Sequence, residues 1–175
     1  MRSLVIAVSL CTLTACAQTE ALRSKLGPVG SQDDEKASSN VEQEVRAFLE
    51  HYLRALESRD EARIRALFVT DGRLAWFTDG ALAYSSPDEI LAGLRGFGEM
   101  DFHTESTDVR VLPLTDTFAS ASSKFETRLT MNGAPVHTYG GVITWLLERV
   151  EGKWRVLQGH TSTPGGPPTD GDDRR

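Results

Sequence analysis

The stretch FLEHYLRALESRDEARIRALFVTDGRLAWF, Phe48 to Phe77, holds a helix, a sharp corner and the start of a sheet. Upstream and through it, Val41, Val45, Phe48, Leu49, Tyr52, Leu53 and Leu56 recur at helical spacing, so one face of a helix is apolar. Asn40 and Gln43 fit a capping box at its start. Asp60 follows as the N-cap of a second helix, with Ile64, Leu67 and Phe68 apolar. The stretch then runs into RLAWFTDGALAY, Arg73 to Tyr84. Two short apolar runs there flank Asp79-Gly80, a dipeptide that favours a tight β-hairpin. Three aromatics sit on it: Trp76, Phe77 and Tyr84.

Beyond the hairpin, SPDEILAGLRGF reads as a short third helix, with Ser86 as N-cap, Pro87 at the first helical position and Glu89 two residues on. The remainder is strands. His103 to Leu112 and Phe118 to Met131 alternate, and Asn132-Gly133 turns the second back. Val136 to Leu147 is rich in β-formers, and Glu151-Gly152 turns it into KWRVLQGHTS. The order is α-α-β-β-α-β-β-β-β, which predicts an α+β layout with helices on one side of a strongly bent antiparallel sheet. The Val136–Leu147 strand is apolar on both faces. Tyr139, Ile143, Trp145 and Leu147 share one face; Val136, Val142 and Leu146 share the other. One face can cover the helices, and the second predicts a homodimer through the sheet.

The whole chain of 175 residues suits one domain with tails, and such a length buries a core without metal or disulfide staples. Its 19 basic and 25 acidic residues leave a net charge of -6, and nothing in that balance suggests the basic face that nucleic acid requires. Arg2 followed by the apolar run Leu4 to Leu13 has the form of a signal peptide. LTACAQ then resembles a bacterial lipobox, with Leu13 three residues before Cys16 and small residues between. That resemblance implies cleavage after residue 15, a lipid on Cys16, and an exported, membrane-anchored lipoprotein on the periplasmic side or in an outer membrane. Ordinary secretion, with cleavage before Gln18, is the alternative. Cys11 and Cys16 are the only cysteines, so the exported domain would hold neither disulfide nor thiol. Residues 16–39 read as a flexible tether, 40–163 as the folded domain and 164–175 as a disordered tail.

Three blocks, FLEHYLRALESRDEARIRALFVTDGRLAWF, SSPDEILAGLRGF and YGGVITWLLERVEGKWRVLQGHTS, together resemble the nuclear transport factor two-like superfamily, with its SnoaL-like and ketosteroid isomerase branches. The likeness covers about Val41 to Thr163. It implies a cone-shaped sheet packed on three N-terminal helices, with a pocket between sheet and helices. The fold hosts enzymes and binders alike. In the isomerase branch an entry-helix tyrosine donates a hydrogen bond to the substrate oxyanion, and Tyr52 falls there. The branch's catalytic aspartate position is occupied by Trp76. Its second acid would fall near Gly141 to Thr144, where there is no carboxylate. Indole cannot take a proton from carbon, so the isomerase mechanism is not expected.

Candidate ligand-binding residues are Tyr52, Trp76, Tyr84, His103, Glu105, His137 and Tyr139. Tyr52 is either a core tyrosine or a pocket donor. Trp76 and Tyr84 read as pocket wall or core, Trp154 as structural packing, and Trp145 as core or dimer surface. His103 shares a strand face with Glu105, and the pair could point inward; the alternative is a wet strand end. The candidate catalytic set is Tyr52 as oxygen polariser with His103 or His160 moving the proton. No short histidine spacing supports a metal, and no cofactor motif occurs: no phosphate loop, no dinucleotide fingerprint and no nucleophile elbow. The leading expectation is a domain that binds a small, partly apolar molecule. The alternatives are an acid–base enzyme of the same fold acting on a hydrophobic substrate, and a protein-interaction module with a filled core.

Overall fold

The computed structural model describes residues 32–164. The signal peptide, Cys16, most of the tether and the tail lie outside the described residues. Helix α1 is Gln32–Ser58, α2 is Glu61–Arg65 and α3 is Pro87–Arg95. The strands are β1 Ala75–Thr78, β2 Ala81–Tyr84, β3 Asp101–Pro113, β4 Phe118–Met131, β5 Ala134–Val150 and β6 Lys153–Ser162. The element order is the expected one. The first helix begins at Gln32 rather than at an Asn40 cap, because the polar run before Asn40 contains no residue that stops a helix.

The stripe on α1 decides its packing. Val41, Val45, Leu49, Tyr52 and Ala55 are all buried, one per turn. Each large apolar side chain so buried stabilises the fold by about 1.5–3 kcal/mol. The corner after α1 is held by Asp60, whose Oδ1 accepts the backbone N–H of Ala62 and of Arg63, each at 3.1 Å. Ser86 caps α3 by accepting from the Glu89 N–H, and the Glu89 carboxylate returns to Ser85 rather than to the cap itself. Trp154 packs as expected and more: its Nε1–H donates to Glu44 on α1 at 3.0 Å, and Arg149, paired with the same carboxylate, stacks over the indole. That cluster ties α1 to the β5–β6 hairpin.

The sheet has six strands in the order β2-β1-β6-β5-β4-β3 and does not close. The expectation of an all-antiparallel sheet needs one correction: β1 pairs with β6 in parallel. These strands lie far apart in sequence, so no hairpin turn dictates their direction. The segment after α2 joins the same edge through Phe68 and Val156, with Val156 N–H donating to the Leu67 carbonyl at 2.7 Å. Register shifts in β3, β4 and the β5–β6 pair increase twist and bend the sheet around the helices. Asp79 and Gly80, at φ 49° and 87°, form the expected two-residue turn.

Side-chain parity on β5 follows the expectation. Trp145 and Leu147 are buried against the helices, whereas Val136 and Val142 are exposed at 53% and 47% on the outer face. Ala119 and Ala121 on β4 keep the inner face shallow there, which gives the core aromatics room.

Candidate functional site

A cavity of about 220 Å³ opens between the sheet and the helices. Its helical wall is apolar: Leu53 and Leu56 from α1, Ile90 and Leu94 from α3, and Phe97 just beyond. Its floor is aromatic: Tyr52, Phe68, Trp76 and Trp145. Tyr52 and Trp76 stack with ring planes 10° apart at 6.5 Å, and Phe68 and Trp145 meet Tyr52 edge-on at 6.0 and 5.9 Å. Such offset and edge-on pairs bring the positive ring edge to the negative face.

The sheet wall carries hydroxyls. Thr104 and Ser106 of β3, Thr127 of β4, Tyr139 of β5 and Thr161 of β6 all line the cavity. Thr104 and Thr127 share a hydrogen bond of 2.8 Å, and Ser106 donates to Ser123 at 2.6 Å. Thr127 and Ser123 are the buried polar side chains of the described residues, and both are hydroxyls of this wall region. Tyr84, from β2, reaches across to α3. A Cβ on Gly93 would stand 2.5 Å from its hydroxyl, so glycine there is what lets the phenol lie against the helix.

None of the lining residues is acidic, basic or histidine. Its ionisable groups are phenols, and burial pushes the Tyr52 hydroxyl far above the usual tyrosine range, with the Trp145 indole N–H opposing in part. Burial also raises Tyr139, against the Thr127 hydroxyl. Both therefore stay neutral at physiological pH. The cavity is thus a neutral chamber with a hydroxyl wall and an apolar wall.

Four of the seven candidates, Tyr52, Trp76, Tyr84 and Tyr139, meet at this cavity. His103, Glu105, His137 and His160 do not line it. His103 and Glu105 do share a strand face, but an inward-pointing pair is corrected by the burial alternation of β3: Thr104 and Ser106 point inward, so their odd-numbered neighbours point out. The His103 side chain is 61% exposed, with Nδ1 3.0 Å from Glu57 and Nε2 3.8 Å from Glu105. The same Glu57 oxygen accepts the Thr104 N–H, which covers part of the open edge of β3. His160 lies between the inward Gly159 and Thr161, so it faces outward, where it adjoins Asp79. His137 is exposed beside Tyr139, rings 6.1 Å apart. Among the described residues, no three His, Cys, Asp or Glu side chains gather as a metal site.

Sequence reasoning missed Thr104, Ser106, Thr127 and Trp145 as cavity residues. Strand parity alone could have placed Trp145 beside Tyr139, but the hydroxyls needed the β3–β4–β5 register, in which Thr104, Thr127 and Tyr139 align.

A family model described as SnoaL-like domain matches residues 37–159. No curated protein matches the chain. Among solved structures, a candidate scytalone dehydratase from Novosphingobium aromaticivorans superposes with a TM-score of 0.65 at 13% identity, covering 74% of this chain and 88% of that one. A nuclear transport factor 2-like superfamily protein from Salmonella enterica gives 0.61 at 16% identity, covering 78% and 98%. The hexachlorocyclohexane dehydrochlorinase LinA-type3 from Novosphingobium barchaimii gives 0.59 at 17% identity, covering 75% and 92%. At these identities the likeness is one of fold.

Proposed function

Because the chain belongs to the SnoaL-like domain family, we propose that its task is to bind a small, neutral, partly apolar molecule in the cavity under the sheet. The observation that carries this reading is the lining itself: aromatic floor, aliphatic helices, a row of hydroxyls and no charge. Neutral walls favour neutral ligands, since a buried ion without a partner is costly. The cavity exceeds the ~150 Å³ that accepts benzene and falls below the ~300 Å³ of typical drug-sized sites. A one- or two-ring molecule fits. An interaction module with a filled core would leave no such space.

The enzyme reading draws on neighbours named as a dehydratase and a dehydrochlorinase. In this chain it has Tyr52 to polarise an oxygen but no base on the cavity wall, with His103 and His160 on the outer face. Binding without acid–base turnover is therefore the better-supported reading. Export with a lipid on Cys16 is proposed from the Leu13–Cys16 pattern alone, and a dimer through the sheet from the exposed Val136 and Val142. Sedimentation as a monomer at micromolar concentration would sink the dimer.

Thermal unfolding of the soluble domain with toluene and with benzoate tests the cavity reading. Toluene should raise the melting temperature in a concentration-dependent way and benzoate should not. Equal shifts with both, or none with toluene, would reject it.

A further inference from the structure

Arg59 stands directly after α1 with φ at 55°. The left-handed position past a helix end favours glycine or asparagine, and a Cβ there strains the backbone. The side chain shows what an arginine does in that place. Its guanidinium reaches across to the segment that follows α3. There it donates to the Gly98 carbonyl at 2.6 Å and to the Met100 carbonyl, and it lies over the Phe102 ring, 5.7 Å from the centroid. A planar, charged fork can hold two carbonyls at once, which an ammonium does less well.

The segment so held carries part of the cavity wall. From α1 the cavity is lined by Tyr52 and then Leu56, from α3 by Ile90 and then Phe97. In each case the earlier residue is buried and the later one half-buried. Both helices therefore run from the floor of the cavity to its outer end, and Arg59 joins the two there. Phe97 sits between Gly96 and Gly98, the latter at φ 57°, so the backbone on either side of it turns with little steric resistance. Its ring leans on Phe102, centroids 5.5 Å apart. The body of α3 is fixed separately, to α2, by Arg65 to Asp88 at 2.6 Å and Arg95 to Glu61 at 2.9 Å. Those ties stop at Arg95, and the link from the next five residues to α1 is Arg59.

Resting on the cavity-binding reading, we infer that Gly96–Met100 is a gate at the outer end of the cavity, with Phe97 as its leaf and Arg59 as its latch. Arg59 touches no ligand and does not line the cavity. It holds Phe97 across the opening and so sets how fast a neutral apolar molecule enters and leaves. Opening breaks the two guanidinium–carbonyl bonds, and closing restores them whether the cavity is full or empty. The latch therefore acts on both rates alike and leaves the affinity where it was.

Fluorine NMR of 4-fluorotoluene exchanging with the protein tests this, since line shapes give the exit rate and a titration gives the dissociation constant. Arg59→Gly removes the guanidinium and suits the left-handed backbone, so the fold is not strained by the change. It should raise the entry and exit rates together by about 10-fold, the size expected for losing hydrogen bonds from a charged donor at a half-buried site. The dissociation constant should stay within about twofold. Phe97→Ala should also speed exchange, and adding Arg59→Gly to it should speed it little further, because the latch then has no leaf to hold. Unchanged rates in Arg59→Gly, or a faster exit with an unchanged entry, overturn the inference and leave the cavity reading standing. Full multiplication of the two effects in the double variant overturns it as well. Failure of 4-fluorotoluene to bind the wild type removes both readings. Should Arg59→Gly not fold, Arg59→Lys decides: it keeps the charge without the fork, and it should exchange faster than wild type at equal affinity. Wild-type rates in that variant count against the latch.

Discussion

The indole of Trp76 lies flat on the backbone of Gly159. The two residues are partners in the parallel β1–β6 ladder, and a Cβ at 159 would stand 2.2 Å from Cε3 and Cζ3 of the ring. Gly159 does not adopt a positive φ. Space, not backbone freedom, is therefore what glycine supplies here. Without it the indole could not lie between the strand and Tyr52, and the cavity would have a different floor.

Gly159→Ala should accordingly destabilise the domain by about 1–3 kcal/mol, the usual cost of overpacking a well-filled interior. The cost should fall sharply when Trp76→Leu is made in the same chain, because the clash is between these two groups. Urea unfolding of the four proteins measures it. Additive effects would mean that Trp76 and Gly159 are not in the contact described.

Asp79 closes the hairpin against the end of β6. Its carboxylate accepts the Thr163 hydroxyl and the Thr163 N–H, each at 2.7 Å. These bonds, the hydroxyl's first, hold its pKa below the usual carboxylate range. A depressed carboxylate lends stability that is present above its unfolded pKa, ~3.9, and is lost as pH falls through the folded value. Asp79→Asn tolerates the left-handed backbone, φ 49°, but cannot titrate. Between about pH 5 and pH 2 the variant should lose stability less steeply than the wild type. Parallel acid limbs in the two unfolding curves would refute the role. The group is exposed, so the difference should be small.

Tyr52 gives the opposite limb. Burial raises its pKa, so the folded protein keeps the proton where the unfolded chain releases it. Stability from this source is full below the unfolded pKa of about 10 and is lost as pH rises beyond it. Tyr139 is raised by burial as well and acts in the same sense. Tyr52→Phe should therefore flatten, without abolishing, the alkaline loss of stability above about pH 10. Unfolding midpoints at a series of alkaline pH values, compared between the two proteins, check this; identical slopes would contradict it.

How much of this the sequence discloses depends on the range of each interaction. The stripe on α1, the Asp60 and Ser86 caps and the Asp79-Gly80 turn are local, written within a few residues, and the structure places them as read. The family likeness, carried by three blocks in order, extends this to the whole domain. The parallel β1–β6 pairing is not local, and hairpin rules favour antiparallel neighbours. The face of His103 and Glu105 turned on a parity that alternation leaves undetermined by one residue: the strand shows which residues share a side, not which side is in. The hydroxyl wall depends on register across three strands, and Gly159 and Gly93 matter only through what lies on top of them.

The hydroxyl wall itself carries the last expectation. Thr104 and Thr127 hold each other at 2.8 Å across β3 and β4. Replacing one by valine leaves the other hydroxyl without its partner, at a cost of about 1–3 kcal/mol where the group is buried. Thr127 is 4% exposed, whereas Thr104 is half-buried. Thr104→Val should therefore be the costlier of the two, because it strands the buried Thr127 hydroxyl. Thr127→Val should cost less, since the Thr104 hydroxyl that it leaves unpaired is only half-buried. The double variant removes both members of the pair, and its cost should be less than the sum of the singles by about 1 kcal/mol. Denaturant midpoints of the four proteins give the coupling directly, and strict additivity would show that the two hydroxyls do not bond in solution.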